Sequence, residues 1–140
     1  MPRISSHFGL TDPRLQSLGF PLIVPVNLST AGNLTYTTTQ LLGGWIIRDG
    51  NGGARTDTLP TAAQMCEAVQ GCMVGTSFEF ELRNSSGTAI AITLAPGTGG
   101  TISGTANVAQ NNTRTYLFSF TNVTIGSEAY TVYSRGTAAY

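Results

Sequence analysis

An all-β fold, an antiparallel β-sandwich of jelly-roll type, is the class this 140-residue sequence predicts, with one short helix near residues 60–70 and an extended N-terminal arm. Three observations predict it. Segments alternating between apolar and polar residues recur every ten to twelve residues in the second half, divided by Gly, Asn and Ser turns, with no helix between them. Only one stretch combines a helical period with capping residues at both ends. Thr supplies 21 residues and Gly 17, a composition suited to strands and tight turns. A single domain of this length buries roughly two-thirds of the surface its unfolded chain exposes, enough for a core without staples.

Taken in order, residues 1–32 carry Pro2, Pro13, Pro21 and Pro25 with no sustained period, which argues against a regular helix or a central strand. Their apolar content is too high for a solvated tail. The expectation is an arm lying extended against an apolar partner, through Phe8, Leu10, Leu15, Leu18, Phe20, Leu22, Ile23 and Val24. The sandwich domain would then be residues 33–140.

Within that domain LTYTTT (34–39) alternates like a strand, TQLLGG (39–44) reads as a helical turn closed by Gly43, and WIIRD (45–49) as a buried strand with Trp45 in the core. GNGG (50–53) is a turn. The segment PTAAQMCEAVQG (60–71) is the helix: Pro60 stands at its start, Thr61 and Gln64 have capping-box spacing, and Gly71 closes it. Ala62, Met65, Cys66 and Val69 form its apolar stripe. Beyond it Phe78, Phe80 and Leu82 face one way while Glu79, Glu81 and Arg83 face the other. Turns at NSSG (84–87), PGTGG (96–100), QNN (110–112) and GSEA (126–129) separate the remaining strands, and Tyr116, Phe118 and Phe120 form a second aromatic face.

Charge narrows the function. Seven Arg, no Lys and seven acidic residues make only 10% of the chain, with a net charge of zero, where about 25% charged residues is typical. A surface of hydroxyls and amides is readily covered, because buried neutral groups need only replacement hydrogen bonds whereas buried unpaired charges cost several kcal/mol each. Low charge also weakens the repulsion that keeps copies apart. The scattered arginines offer no basic stripe for nucleic acid, and no apolar run reaches the roughly 20 residues of a membrane span.

Catalytic chemistry has few candidates, and the chain is expected not to be an enzyme. The one histidine, His7, lies in the arm, so triads lack a base. Glu79 and Glu81 alternate with phenylalanines and read as a solvated strand face rather than a glycosidase pair. The Asp49–Asp57 segment has the oxygen-rich start of a calcium loop, but Pro60 stands where the bidentate glutamate belongs. Cys66 and Cys72 are too few for a structural zinc site and read as free, partly buried thiols. No cofactor and no metal are expected.

The motifs LLGGWIIRD, RTDTLPTAAQM, VGTSFEFELRN, TLAPGTGGTISGT and FTNVTIGSEAYTVYSRG, spread from about Leu41 to Gly136, resemble small head decoration or cement proteins of tailed bacteriophages. The resemblance covers roughly two-thirds of the chain. It implies a trimeric β-sandwich that binds the major capsid protein on the outer surface of the virion, made in the host cytoplasm. Such a protein stabilises the head. The alternative is a trimeric receptor- or glycan-binding head of a fibre or spike, with Trp45, Tyr36, Tyr130, Tyr133 and Tyr140 available to stack on sugars.

Overall fold

The structure is a computed structural model and describes residues 22–140. Among the described residues nine strands and two short helices follow in the order β1 (Val26–Leu28), α1 (Thr38–Leu42), β2 (Trp45–Arg48), β3 (Arg55–Thr58), α2 (Ala62–Ala68), β4 (Ser77–Asn84), β5 (Ile92–Ala95), β6 (Gly100–Ser103), β7 (Asn107–Val108), β8 (Asn112–Asn122) and β9 (Ala129–Ala139). The chain is β-rich, as expected. A six-stranded sheet has the order β1-β2-β4-β8-β9-β6, and a three-stranded sheet the order β3-β5-β7.

The sheets are mixed rather than antiparallel. Four pairings, β1 with β2, β2 with β4, β3 with β5 and β6 with β9, are parallel, and three are antiparallel. Parallel neighbours need long crossovers, and α1, α2 and the alternation of the chain between the two sheets supply them. Period-two patterning gives the face of each strand but not the direction of its neighbour, which is why the sequence suggested antiparallel pairing throughout.

Both helices begin with the same device. Thr61 accepts from Gln64 N at 3.2 Å while its own N–H donates to the Gln64 side chain at 2.9 Å, and Thr37 and Gln40 repeat the arrangement. The first box was expected. The second was not, and it converts the end of the expected 34–39 strand into α1, leaving only an isolated bridge from Thr35 to Thr58.

The core lies between the sheets and under both helices. Phe80, Leu82, Tyr116, Phe118, Phe120, Tyr130 and Val132 from the large sheet meet Ile92, Leu94 and Val108 from the small one, with Leu41 and Met65 from the helices. The β4–β8 register puts Phe78 opposite Phe118 and Phe80 opposite Tyr116, and these pairs stack with centroids 4.8 and 5.2 Å apart. Such pairs contribute roughly 0.5–1.5 kcal/mol beyond their buried area. Tyr130 packs directly on Gly100, where any Cβ would collide with its ring, and its hydroxyl donates to the Pro60 carbonyl at 2.9 Å.

Burial raises the pKa of Tyr36, Tyr116 and Tyr130 above the ordinary tyrosine value, and at Tyr36 the Asp57 carboxylate pushes in the same direction. A raised folded pKa holds the proton, so the stability it represents is fully present below the unfolded value of about 10 and is lost as pH climbs above it. Urea midpoints should therefore fall steadily above about pH 10. A midpoint unchanged from about pH 9 to 11.5 would contradict this.

Candidate interaction surface

Alternation along the strands that fill the core leaves the other face of the large sheet turned outward. Core side chains are Ile46 and Arg48 on β2, Phe80, Leu82 and Asn84 on β4, Tyr116, Phe118 and Phe120 on β8, and Tyr130 and Val132 on β9. Their neighbours in sequence therefore point away, and strand register sets them in rows. Glu79, Leu117 and Tyr133 are cross-strand partners in one row, Trp45, Glu81 and Thr115 in the next, and Ile47, Arg83 and Thr113 in a third. Ser77 and Ser119 share a 2.9 Å hydrogen bond in a further row with Thr131. On this face Tyr133 is 42% exposed, whereas Trp45, Ile47 and Leu117 are half-buried, and the Nε1 of Trp45 and Nε of Arg83 are buried without a hydrogen-bond partner among the described residues.

The face mixes apolar and hydroxyl-bearing side chains with Glu79, Glu81, Arg83 and Arg135, of which Arg135 and Glu79 form an ion pair. Arg135 bridges to Glu79 across β8, Thr115 donates to Glu81 at 3.5 Å, and the Arg83 guanidinium lies 3.5 Å above the Tyr140 ring. The exposed Arg135–Glu79 pair adds little stability. It offsets one carboxylate and one guanidinium beside Trp45, Ile47, Leu117 and Tyr133, while the Glu81 carboxylate remains exposed. Trp45 was expected in the core, yet it is Ile46 that is buried there; the strand parity, set by Arg48 pointing inward, turns Trp45 out.

Two apolar outcrops flank the sheet. At the β1 edge Ile23 and Val24 are 64% and 63% exposed, beside the half-exposed Leu42, and the Val24 N–H donates to Gly43 O at 2.7 Å. At one end Met73 and Val74 lie in the turn before β4, fastened to the end of β8 by Gly75 N to Phe120 O at 2.8 Å. Ile125, 93% exposed, sits in the loop that leaves that end of β8.

Among the arm residues expected to make contacts, Ile23 and Val24 are exposed and Leu22 is half-buried. Phe8, Leu10, Leu15, Leu18 and Phe20 lie outside the described residues. Within the region read as an arm, Val26–Leu28 pairs with β2, the carbonyls of Thr30 and Gly32 accept from Arg48, and Leu34 just beyond it donates to Asp57. Pro25 stands just before the strand, and β1 is an edge strand, so its proline costs the sheet no hydrogen bond.

Those Arg48 and Asp57 contacts belong to a buried polar network that sequence reasoning did not find. Arg48 and Asp57 are fully buried and joined by Nε to Oδ2 at 2.7 Å. Arg48 also donates to the carbonyls of Thr30 at 2.9 Å, Gly32 at 2.6 Å and Asp49. Asp57 accepts from Leu34 N at 2.8 Å and the Tyr36 hydroxyl at 2.7 Å. Of the oxygens considered for calcium, the Asp57 carboxylate is engaged in this network and Asp49 Oδ1 accepts from Asn51 N at 2.8 Å. The nine-residue spacing across a Gly-rich turn was the only signal available.

No family model, curated protein or solved structure matches the chain. The surface must therefore be read from its own chemistry. A cleft of about 440 Å³ between α1 and α2 is lined by Thr35, Tyr36, Thr37, Gln64 and Glu67; the Gln64 side-chain oxygen accepts within its cap and the Tyr36 ring is buried. Of the aromatics considered for sugar stacking, Tyr36 and Tyr130 are buried, Trp45 is half-buried, Tyr133 is 42% exposed, and Tyr140, 47% exposed, carries the Arg83 guanidinium on its ring. Among the described residues no three His, Cys, Asp or Glu side chains are grouped to hold a metal ion.

Proposed function

We propose that this chain is a virion structural protein that decorates and cements a tailed-phage head, assembling as a homotrimer of sandwich-like subunits on the lattice of the major capsid protein. The observation that carries the reading is the outer face of the six-stranded sheet, where Trp45, Ile47, Leu117 and Tyr133 stand among threonines and serines and Arg135 pairs with Glu79. Such a face loses little on desolvation and gains apolar burial at roughly 25 cal/mol per Å². Its occupant in this reading is a second copy of the chain. The β1 edge, where Ile23 and Val24 are exposed and the chain continues toward the leucines and phenylalanines of residues 8–20, contacts the capsid. The motif resemblance to head decoration proteins supports the same assignment.

Adhesion of this kind depends on neutral and apolar area rather than on ion pairs, which are screened within about 8 Å at physiological salt. Light scattering on the purified chain should give a trimer, and Leu117→Arg should reduce it to a folded monomer. Particles carrying the protein should keep it in molar salt, lose it in urea, and release their genome at a lower temperature once stripped. A wild-type chain that is monomeric at micromolar concentration, or detachment by salt alone, would overturn the reading. A few dozen copies or fewer per particle would favour a fibre head instead.

A further inference from the structure

We propose that Cys66 and Cys72 form a reversible intrachain disulfide that closes the turn after α2. The turn already brings them together. Cys66 lies in the last turn of α2, which ends at Val69 in an extended conformation, and the chain returns through Gly71 at φ 68°, a left-handed value that glycine adopts without strain. Cys72 N donates to Val69 O at 3.1 Å, closing the return. The Cys72 thiol then donates to the Cys66 carbonyl at 3.6 Å. Both cysteines are free and half-exposed, so a small oxidant reaches them, and both pack against the core, which limits the arrangements they sample.

The oxidant is a low-molecular-weight disulfide of the glutathione class. Burial first, then the neighbouring Cys72 thiol and the Glu128 carboxylate, push the Cys66 thiol up to about 11; Cys72, on the glycine turn beyond the end of α2, makes the first attack. Its thiolate forms a bond to one sulfur of the oxidant and breaks the oxidant's S–S bond, and the expelled thiolate takes up a proton from water. Cys66, on losing its proton, attacks Cys72 Sγ and expels the second small thiol. Two protein thiols have then given two electrons to one small disulfide. The product bond fixes the segment leading directly into the exposed Met73–Val74 turn.

The test equilibrates the full chain, native and in urea, with graded ratios of reduced to oxidised glutathione, quenches in acid, alkylates with N-ethylmaleimide and weighs the intact protein. The native chain should become lighter by two hydrogens, take up no alkylating agent and remain monomeric on a non-reducing gel. It should hold the bond at ratios at least about tenfold more reducing than the unfolded chain does, because a bond that fits the fold is favoured by it. Cys66→Ser should retain one glutathione on Cys72, there being no second thiol to displace it. Two alkylated thiols throughout the series, a lasting glutathione adduct on the wild type, a disulfide-linked dimer, or equal ratios for native and unfolded chain would overturn the proposal. A Cys66→Ser chain without the adduct would overturn the assigned order of attack.

Discussion

Replacing Asp57 by Ala should cost roughly 3–5 kcal/mol of folding stability, the range for a buried ion pair that loses one partner. The side chain is fully buried and serves three donors: Arg48 Nε, the Tyr36 hydroxyl and Leu34 N. Alanine leaves each without its acceptor in a site that excludes water, and the guanidinium without its counter-charge. For a chain of this size that loss corresponds to a fall of roughly 10–20 °C in Tm. Arg48→Met should be comparably damaging, because the carbonyls of Thr30, Gly32 and Asp49 lose their donor together with Asp57. The double variant should lose less than the sum of the two singles, since each single change leaves a charge that the second removes. Strict additivity in thermal or urea unfolding would mean that the two side chains do not act as a pair.

Truncation should divide the N-terminal region at a different place from the one its prolines suggest. A chain beginning at residue 22 keeps β1, the Thr30 and Gly32 carbonyls and the Asp57–Leu34 bond, and should melt within about 2 °C of the full chain. One beginning at residue 33 loses β1 and the acceptors of two guanidinium nitrogens. Its Arg48 would be only partly satisfied in a fully buried site, and β2 would become a raw edge. Loss of a cooperative thermal transition is expected for this shorter chain, because an incompletely paired buried cation costs several kcal/mol against a total stability of about 5–15 kcal/mol. If both truncated chains melt like the full one, residues 22–32 contribute attachment alone and the network is not what holds them.

The elements most legible in the sequence are those whose cause is local. Pro60 and the Thr61–Gln64 pair announce α2 because a capping box satisfies its N–H groups within four residues. The alternation of Phe78, Phe80 and Leu82, and of Tyr116, Phe118 and Phe120, identifies the buried face of β4 and β8 because a strand's side chains have a period of two. The same parity already separated Glu79, Glu81 and Arg83 onto the outer face, so part of the candidate surface was readable as well.

What the tertiary structure alone decided depends on neighbours distant in the chain. Local pattern carries no record of whether β2 runs with or against β4, since the crossover that sets direction passes through the other sheet. Trp45 turns outward, against its hydrophobicity, because Arg48 three positions on must reach Asp57 and the carbonyls of residues 30 and 32. An arginine and an aspartate read singly are surface residues. They become the buried centre of this fold because a desolvated charge is tolerated only where the fold collects every partner it needs around it.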